Sequence, residues 1–149
     1  ISSDFVDKLI AVGATVFCKD KSSAELAKEK AVLVQNRNKI YTVTDALIIR
    51  DRKKFWTEYH KALGRGVLAE DVYYTLLWQV KNMLLVYNTR SSEEAGMATY
   101  PWTKTKRAMT KYKKEEVERL SSRLLHIWHD AHKYGRELPL LLEYFTLTI

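Results

Sequence analysis

The sequence predicts an all-α protein built as a single bundle of five or six helices. Only five glycines and two prolines occur in 149 residues, which is too few for the many turns of a β-sandwich or barrel. Apolar residues recur at steps of three and four over long stretches, the spacing of one helix face. Apolar residues make up 46% and charged residues 29% of the chain, a balance typical of folded globular proteins.

Residues 1–38 differ from the rest of the chain and are predicted to be a separate N-terminal segment. Its apolar residues around Phe5 and Phe17 are followed by a stretch rich in Lys, Ser and Glu. This pattern allows a helix, a short strand and a second helix. The helical bundle itself is predicted over residues 39–149.

The first two helices of the bundle are predicted on either side of a charged turn. Thr44 and Asp45 are good N-cap residues, so a helix is expected to begin directly after them. The charged run at residues 50–54 is expected to form the turn. Apolar residues at helical spacing then indicate a second helix, which Gly64 ends.

The third helix has the clearest pattern in the chain. Glu70 and Asp71 stand at its start, where acids suit the positive end of the helix dipole. Trp78 widens the apolar face, so the helix is expected to be buried on more than one side, and residues 89–96 are expected to form a loop. The apolar residues that define this helix are Val72, Leu76, Val80, Met83, Leu84 and Tyr87.

Three further helices complete the predicted bundle. Pro101 fits the first turn of one, where its missing N–H costs nothing. A longer helix is predicted over residues 114–134 and ends at Gly135. Residues 137–149 are expected to form a core helix, because this apolar segment is longer than a usual strand. Three tryptophans are expected to lie largely in the core: Trp78, Trp102 and Trp128.

A cluster of histidines is the first candidate for chemistry. His126, His129 and His132 recur every three residues, so their side chains rotate around a helix and cannot easily converge on one ion. No metal site and no cofactor is therefore predicted. A metal-dependent hydrolase is the least favoured alternative that the cluster leaves open.

No other pattern in the sequence indicates catalysis. Cys18 is the single cysteine and has no histidine near it in the sequence to activate a thiolate. The Gly-x-Ser-x-Gly turn and the glycine-rich loops that cradle phosphates do not occur. The chain is therefore expected not to be an enzyme. A lone cysteine fits a reducing, cytoplasmic compartment, and no apolar run approaches the roughly 20 residues that span a membrane.

The chain has a net charge of +7, and two of its basic groups could contact nucleic acid. On a helix, Lys104, Arg107 and Lys111 share a face that could follow a phosphate backbone. Near Gly135, an aromatic ring between two cations has the chemistry to stack a base and neutralise its phosphate. The alternative for both groups is a solvated helix surface. The candidate residues are Lys104, Lys106, Arg107, Lys111, Lys133, Tyr134 and Arg136.

Two motifs in the first half of the bundle follow each other in a defined order. Residues 39–47 read KIYTVTDAL, an apolar step containing Tyr that is followed by Asp-Ala and then by the charged turn at residues 50–52. Residues 77–85 read LWQVKNMLL, in which an apolar residue precedes Gln and a leucine pair follows.

A third motif completes the series. Residues 101–106 read PWTKTK and precede a helix that ends in DAHKYG at residues 130–135. A leucine-rich terminal helix then passes through Leu142 and Glu143. In their order and spacing over residues 39–149, these motifs resemble the C-terminal collar domain of the DNA polymerase III delta subunit, a clamp-loader subunit.

The resemblance implies a function in DNA replication as well as a fold. It implies a helical collar domain that joins gamma/tau and delta-prime subunits into a ring, and it suggests contact with primer-template DNA. Asp130 would match a structural aspartate of the family, and residues 1–38 would be a remnant of the preceding lid domain. The family's clamp-opening N-terminal domain has no match in these residues, so only collar assembly is implied. The alternative is a free-standing, basic, helical nucleic-acid-binding protein.

Overall fold

The computed structural model describes residues 23–149, with side chains for residues 23–31 and 40–149. The chain divides into two units, Ile1–Arg37 and Asn38–Ile149. Over residues 23–149 the secondary structure consists of six α-helices and one short 3-10 helix, without a strand. The all-α fold class is confirmed, and the 3-10 helix is one more than the five or six helices predicted.

The helices are joined by connections of at most four residues, except for residues 89–98 between α3 and α4. In chain order they are α1 (Ser23–Ile48), α2 (Arg52–Gly64), α3 (Ala69–Asn88), α4 (Thr99–Ala108), the 3-10 helix (Met109–Lys111), α5 (Lys114–Tyr134) and α6 (Leu138–Leu147).

The prediction that a helix begins after Thr44 and Asp45 is wrong, because both residues lie inside α1. The Thr44 hydroxyl donates to the Tyr41 carbonyl at 2.9 Å, a bond made within a helix rather than at its start. Buried residues continue through this point at helical spacing, including Val43 and Leu47. Their burial outweighs the preference of Thr and Asp for a cap position. The predicted boundary after residue 38 lies within α1 and one residue from the division of the chain into its two units.

Helix α3 forms the centre of the second unit and packs against α4, α5 and α6. Its Val72, Leu76, Val80 and Met83 are fully buried, and each such side chain contributes about 1.5–3 kcal/mol by leaving water. Helix α2 packs on α6, where the rings of Phe55 and Phe145 meet edge to face. The packing of α3 against both helices therefore fixes the positions of α4 and α6.

The prediction for the tryptophans is wrong for Trp78, whose side chain is 48% exposed. Trp78 lies two residues from both Leu76 and Val80 and therefore on the opposite side of α3. Trp102 and Trp128 are partly buried against the core. The C-terminal segment is a helix as predicted, but only one of its faces is in the core, because Leu138 and Leu142 are buried while the other face is exposed.

The end of α1 has an unusual residue at its left-handed position. Two hydrogen bonds close the helix, from the Asp51 N–H to the Ala46 carbonyl and from the Arg50 N–H to the Leu47 carbonyl, which is the Schellman arrangement. The same arrangement after α2 uses Gly66. Here the residue is Arg50 with φ 55°, although a side chain in this conformation costs about 1–2 kcal/mol.

The Arg50 side chain connects the end of α1 to the start of α5. Its guanidinium donates to both carboxylate oxygens of Glu116, at 2.8 and 3.1 Å, and to the Lys111 carbonyl at 2.9 Å. Lys111 Nζ donates to the Ile49 carbonyl, and the buried Tyr112 hydroxyl donates to the Leu47 carbonyl at 2.6 Å. We call these contacts of Arg50, Lys111, Tyr112 and Glu116 the α1–α5 junction.

The junction should make the stability of the protein depend on pH below neutrality. Hydrogen bonds from Arg50 and from the Lys113 N–H lower the pKa of Glu116 to about 2. A carboxyl group whose pKa is lower in the folded than in the unfolded protein stabilises the fold above its unfolded pKa of about 4.5, and this contribution disappears as the pH falls towards 2.

We therefore expect Glu116→Gln, which keeps the capping geometry but removes the charge, to lower the Tm at pH 7 and to leave it nearly unchanged at pH 2. Thermal unfolding followed by circular dichroism between pH 7 and pH 2 tests this. Glu118→Gln, an exposed acid of the same helix, is the control. Equal losses of Tm at both pH values for Glu116→Gln would contradict the assignment.

Candidate functional site

A groove of about 850 Å³ runs between the end of α1 and α4. Its floor includes the apolar side chains of Ile48, Ile49 and Ala108. Four cations line it: Lys54, Lys104, Arg107 and Lys111. Asp45 is the acidic residue in this lining, so the groove carries a positive charge.

Three of the predicted nucleic-acid-binding residues meet in this groove. Lys104 and Arg107 reach it from α4, whereas Lys111 reaches it from the 3-10 helix, because α4 ends at Ala108 and does not continue as expected. Lys106 does not line the groove; its ammonium lies 4.3 Å from the centroid of the Trp102 ring.

The four cations differ in how they are engaged. Lys104 Nζ lies 2.6 Å from Asp45 Oδ1, and Lys111 donates to the Ile49 carbonyl as part of the junction. The side chains of Lys54 and Arg107 have no hydrogen-bond or ion-pair partner within the part of the chain that the structure describes. These two cations are therefore available to an anionic ligand.

A smaller pocket of about 340 Å³ adjoins the groove on the side of α3. The two cavities share Asp45, Ile48, Tyr100 and Lys104. We refer to the groove and the pocket together as the α1–α4 cleft. Three exposed aromatic residues line the pocket: Tyr41, Trp78 and Tyr100, which are 47%, 48% and 76% exposed.

Two amide side chains of α3, Gln79 and Asn82, form the inner wall of this pocket. Each residue is 5% exposed, and Gln79 Nε2 is buried without a hydrogen-bond partner. A buried donor without a partner costs about 1–3 kcal/mol, and such groups are rare in folded proteins. A ligand with an acceptor group would remove this cost only if the Gln79 side chain turned so that Nε2, which water does not reach here, faced the pocket.

The spacing of Gln79 in the sequence indicates that its side chain is buried. Gln79 stands seven residues after Val72 and four before Met83, so it belongs to the stripe that α3 buries. A polar residue in that register has to lie in the core or in a cavity. Lys54 was not among the predicted site residues, because the charged run at residues 50–54 indicated only a turn.

The second predicted group lies at the end of α5 and does not line the α1–α4 cleft. Tyr134 is 61% exposed, with Lys133 Nζ 5.5 Å from its ring centroid. Arg136 donates to Asp130 Oδ2 at 3.1 Å, and Gly135 ends the helix with φ 62°. Asp130 and Gly135 thus have structural roles, while Lys133 and Tyr134 are exposed.

The histidines bond to their own helix or to a neighbouring acid. The Nδ1 atoms of His126 and His132 lie 2.7 and 2.9 Å from the carbonyls of Ser122 and Trp128. His60 Nε2 lies 3.0 Å from Glu143 Oε1. Over residues 23–149, no three His, Cys, Asp or Glu side chains are grouped so that they could hold a metal ion. Cys18 lies outside the described residues.

The exposed side of α6 is an apolar face at helical spacing. Leu140, Tyr144 and Leu147 are 60%, 68% and 46% exposed and stand at positions i, i+4 and i+7 of one helix. We call these three side chains the α6 face. Beside them, Trp56 Nε1 donates to Glu143 Oε1 at 3.1 Å, which connects α2 to α6.

Comparison of the chain with protein-family models, with curated proteins and with solved structures finds no match. None of the helices described here is both long enough and apolar enough to cross a bilayer.

The unpartnered donor of Gln79 leads to a prediction about stability. We expect Gln79→Met, which keeps the side-chain length and removes the amide, to raise the free energy of unfolding by about 1 kcal/mol. Urea denaturation measures this. Tyr112→Phe is the comparison, because it removes a buried hydroxyl that does have a partner and should lower the free energy of unfolding by about 1 kcal/mol. A loss of stability in Gln79→Met would show that the amide is satisfied.

Proposed function

We propose that this chain is a non-catalytic assembly domain, the collar domain of a delta-like clamp-loader subunit that acts in DNA replication in the cytoplasm. Its partners are the gamma/tau and delta-prime subunits. The observation that carries the proposal is the α6 face, an apolar surface on a helix that the core holds firmly. The resemblance of residues 39–149 to the delta collar supplies the identity of the partners.

The geometry of α6 suits docking by helix packing. Leu140, Tyr144 and Leu147 have the i, i+4, i+7 spacing with which one helix binds the groove of another. Large apolar side chains that share one exposed face are typical of interaction sites. A partner helix would bury all three side chains at once.

The opposite side of α6 is held in place, so the α6 face is preorganised. Leu142 and Phe145 are fully buried, and the Tyr59 hydroxyl donates to the Pro139 carbonyl at 2.8 Å. Because the helix is already ordered, docking would cost little conformational entropy.

The motif at residues 130–135 supports the same proposal without any catalytic chemistry. The Asp130 carbonyl accepts a hydrogen bond from the Gly135 N–H, and the Asp130 carboxylate accepts one from Arg136. These contacts end α5 and direct the chain into α6. In this proposal, the Asp-x-x-Lys-x-Gly pattern serves to position the docking helix.

Substitution on the α6 face tests the proposal. We expect the chain to elute with the collar domains of gamma/tau and delta-prime in size-exclusion chromatography at micromolar concentration. Tyr144→Asp should prevent co-elution, because it places a charge in an apolar interface and should weaken binding by roughly a hundredfold or more. Leu68→Asp, which changes an exposed leucine at the start of α3, is the control. Co-elution of Tyr144→Asp would contradict docking through α6.

A second candidate function, binding of nucleic acid, is favoured by the cations of the groove. Lys54, Lys104, Arg107 and Lys111 line one surface with an apolar floor, and cations aligned in this way neutralise backbone phosphates. This function is compatible with a collar domain, because the groove and the α6 face are formed by different helices.

Salt dependence tests the second candidate. We expect the affinity for an oligonucleotide to fall steeply as salt rises, and Arg107→Ala to lower the slope of log Kd against log salt by about one. Arg107 is chosen because its side chain has no partner among the described residues. The Arg107→Ala substitution should therefore leave the structure around the groove unchanged. Lys81→Ala, an exposed lysine outside the cleft, should leave the slope unchanged. Binding that does not respond to salt would exclude this function.

A further inference from the structure

We propose that the α1–α4 cleft binds single-stranded nucleic acid by taking one unstacked base into the pocket beside α3 while the flanking phosphates lie along the basic groove. This inference rests on the second candidate function, nucleic-acid binding, and specifies the form of the ligand and its site. It adds six residues to those that the sequence indicated: Tyr41, Lys54, Trp78, Gln79, Asn82 and Tyr100.

The walls of the pocket have the chemistry that holds a base. Tyr41, Trp78 and Tyr100 leave about half or more of their surface exposed around one cavity. Aromatic side chains stack on any base, because every base presents a π face. Exposed aromatic residues from α1, α3 and α4 that meet at one pocket provide such a platform.

The inner wall of the pocket has the chemistry that reads the edge of a base. Gln79 and Asn82 stand one helical turn apart and both line the cavity. An amide presents a donor and an acceptor together, the combination that pairs with the edge of a base. The Gln79 Nε2 donor has no partner in the folded chain and is shielded from water, so a carbonyl or ring nitrogen of a base would supply the missing acceptor once the Gln79 side chain turns towards the cavity.

The position of the pocket beside the groove matches the covalent structure of a nucleotide. The two cavities share Tyr100 and Lys104, so a base in the pocket lies next to a cation. Lys54 and Arg107 are without partners among the residues described and would contact the neighbouring phosphates. Asp45 holds Lys104 at 2.6 Å and so fixes this cation at the opening between the two cavities.

The burial of the amides selects single strands over duplexes. Gln79 and Asn82 are each 5% exposed, so only a base that has left its stack can reach them. A paired base has its Watson–Crick edge occupied and cannot enter. An acidic peptide could satisfy the cations, but three aromatic side chains and a buried amide donor favour a base.

Fluorescence of the complete chain tests the proposal in two ways. A labelled single-stranded oligonucleotide of mixed sequence, followed by anisotropy, gives Kd for each variant. We expect Tyr100→Ala to weaken binding about tenfold, and Gln79→Met to weaken it about fivefold while the fold is retained. Tyr74→Ala, an exposed tyrosine of α3 that does not line the cleft, should bind as the unchanged protein does.

Tryptophan emission provides an independent readout of stacking. Binding of the oligonucleotide should quench the emission of Trp78. The quenching should be lost in Trp78→Phe, which keeps an aromatic ring, and should remain in Trp56→Phe, which changes a tryptophan at the contact between α2 and α6.

The outcomes separate the inference from the function on which it rests. Salt-dependent binding that Arg107→Ala weakens but Tyr100→Ala and Gln79→Met do not would overturn the base pocket and leave nucleic-acid binding in place. Equal affinity for a duplex of the same sequence would also overturn it. If neither oligonucleotide binds, both the base pocket and nucleic-acid binding are excluded. Quenching of Trp78 emission by an acidic peptide, and not by an oligonucleotide, would show that the cleft binds a peptide.

Discussion

An arginine in the left-handed backbone conformation connects the end of α1, one wall of the cleft, to the start of α5. Arg50 adopts a conformation that glycine adopts more readily, and its guanidinium bonds to Glu116 and to the Lys111 carbonyl. Together with the bond from Tyr112 to the Leu47 carbonyl, this contact fixes α1 against the segment between α4 and α5. A glycine at position 50 would relieve the backbone but would remove the guanidinium contacts with Glu116 and with the Lys111 carbonyl.

Much of the fold could be predicted because helix periodicity and helix ends are local properties of a sequence. The pattern of apolar residues located α3 and α5 closely, and Gly135 marked the end of α5 as expected. The start of the bundle could not be predicted in the same way. Thr44 and Asp45 have a local preference for a cap, and only the burial of their neighbours in the tertiary structure shows that α1 continues through them.

The candidate site was predicted in part for a similar reason. Charge is visible in a sequence, so Lys104, Arg107 and Lys111 could be predicted as one basic surface. The end of α4 at Ala108 could not be predicted from charge. The position of a polar residue relative to a cavity is a tertiary property. Trp78 was predicted to lie in the core and lines an open pocket instead, while Gln79, which was not predicted as a site residue, is buried beside that pocket.

The α6 face belongs to a helix that does not line the α1–α4 cleft, so we propose docking and ligand binding for separate surfaces of one small bundle. The claim that function resides in docking through α6 is tested most directly by hydrogen exchange of the backbone amides on addition of gamma/tau and delta-prime collar domains. We expect exchange to slow over Leu138–Leu147, because a partner helix covers the exposed side of α6. Unchanged exchange in α6, with protection confined to other helices, would contradict the account.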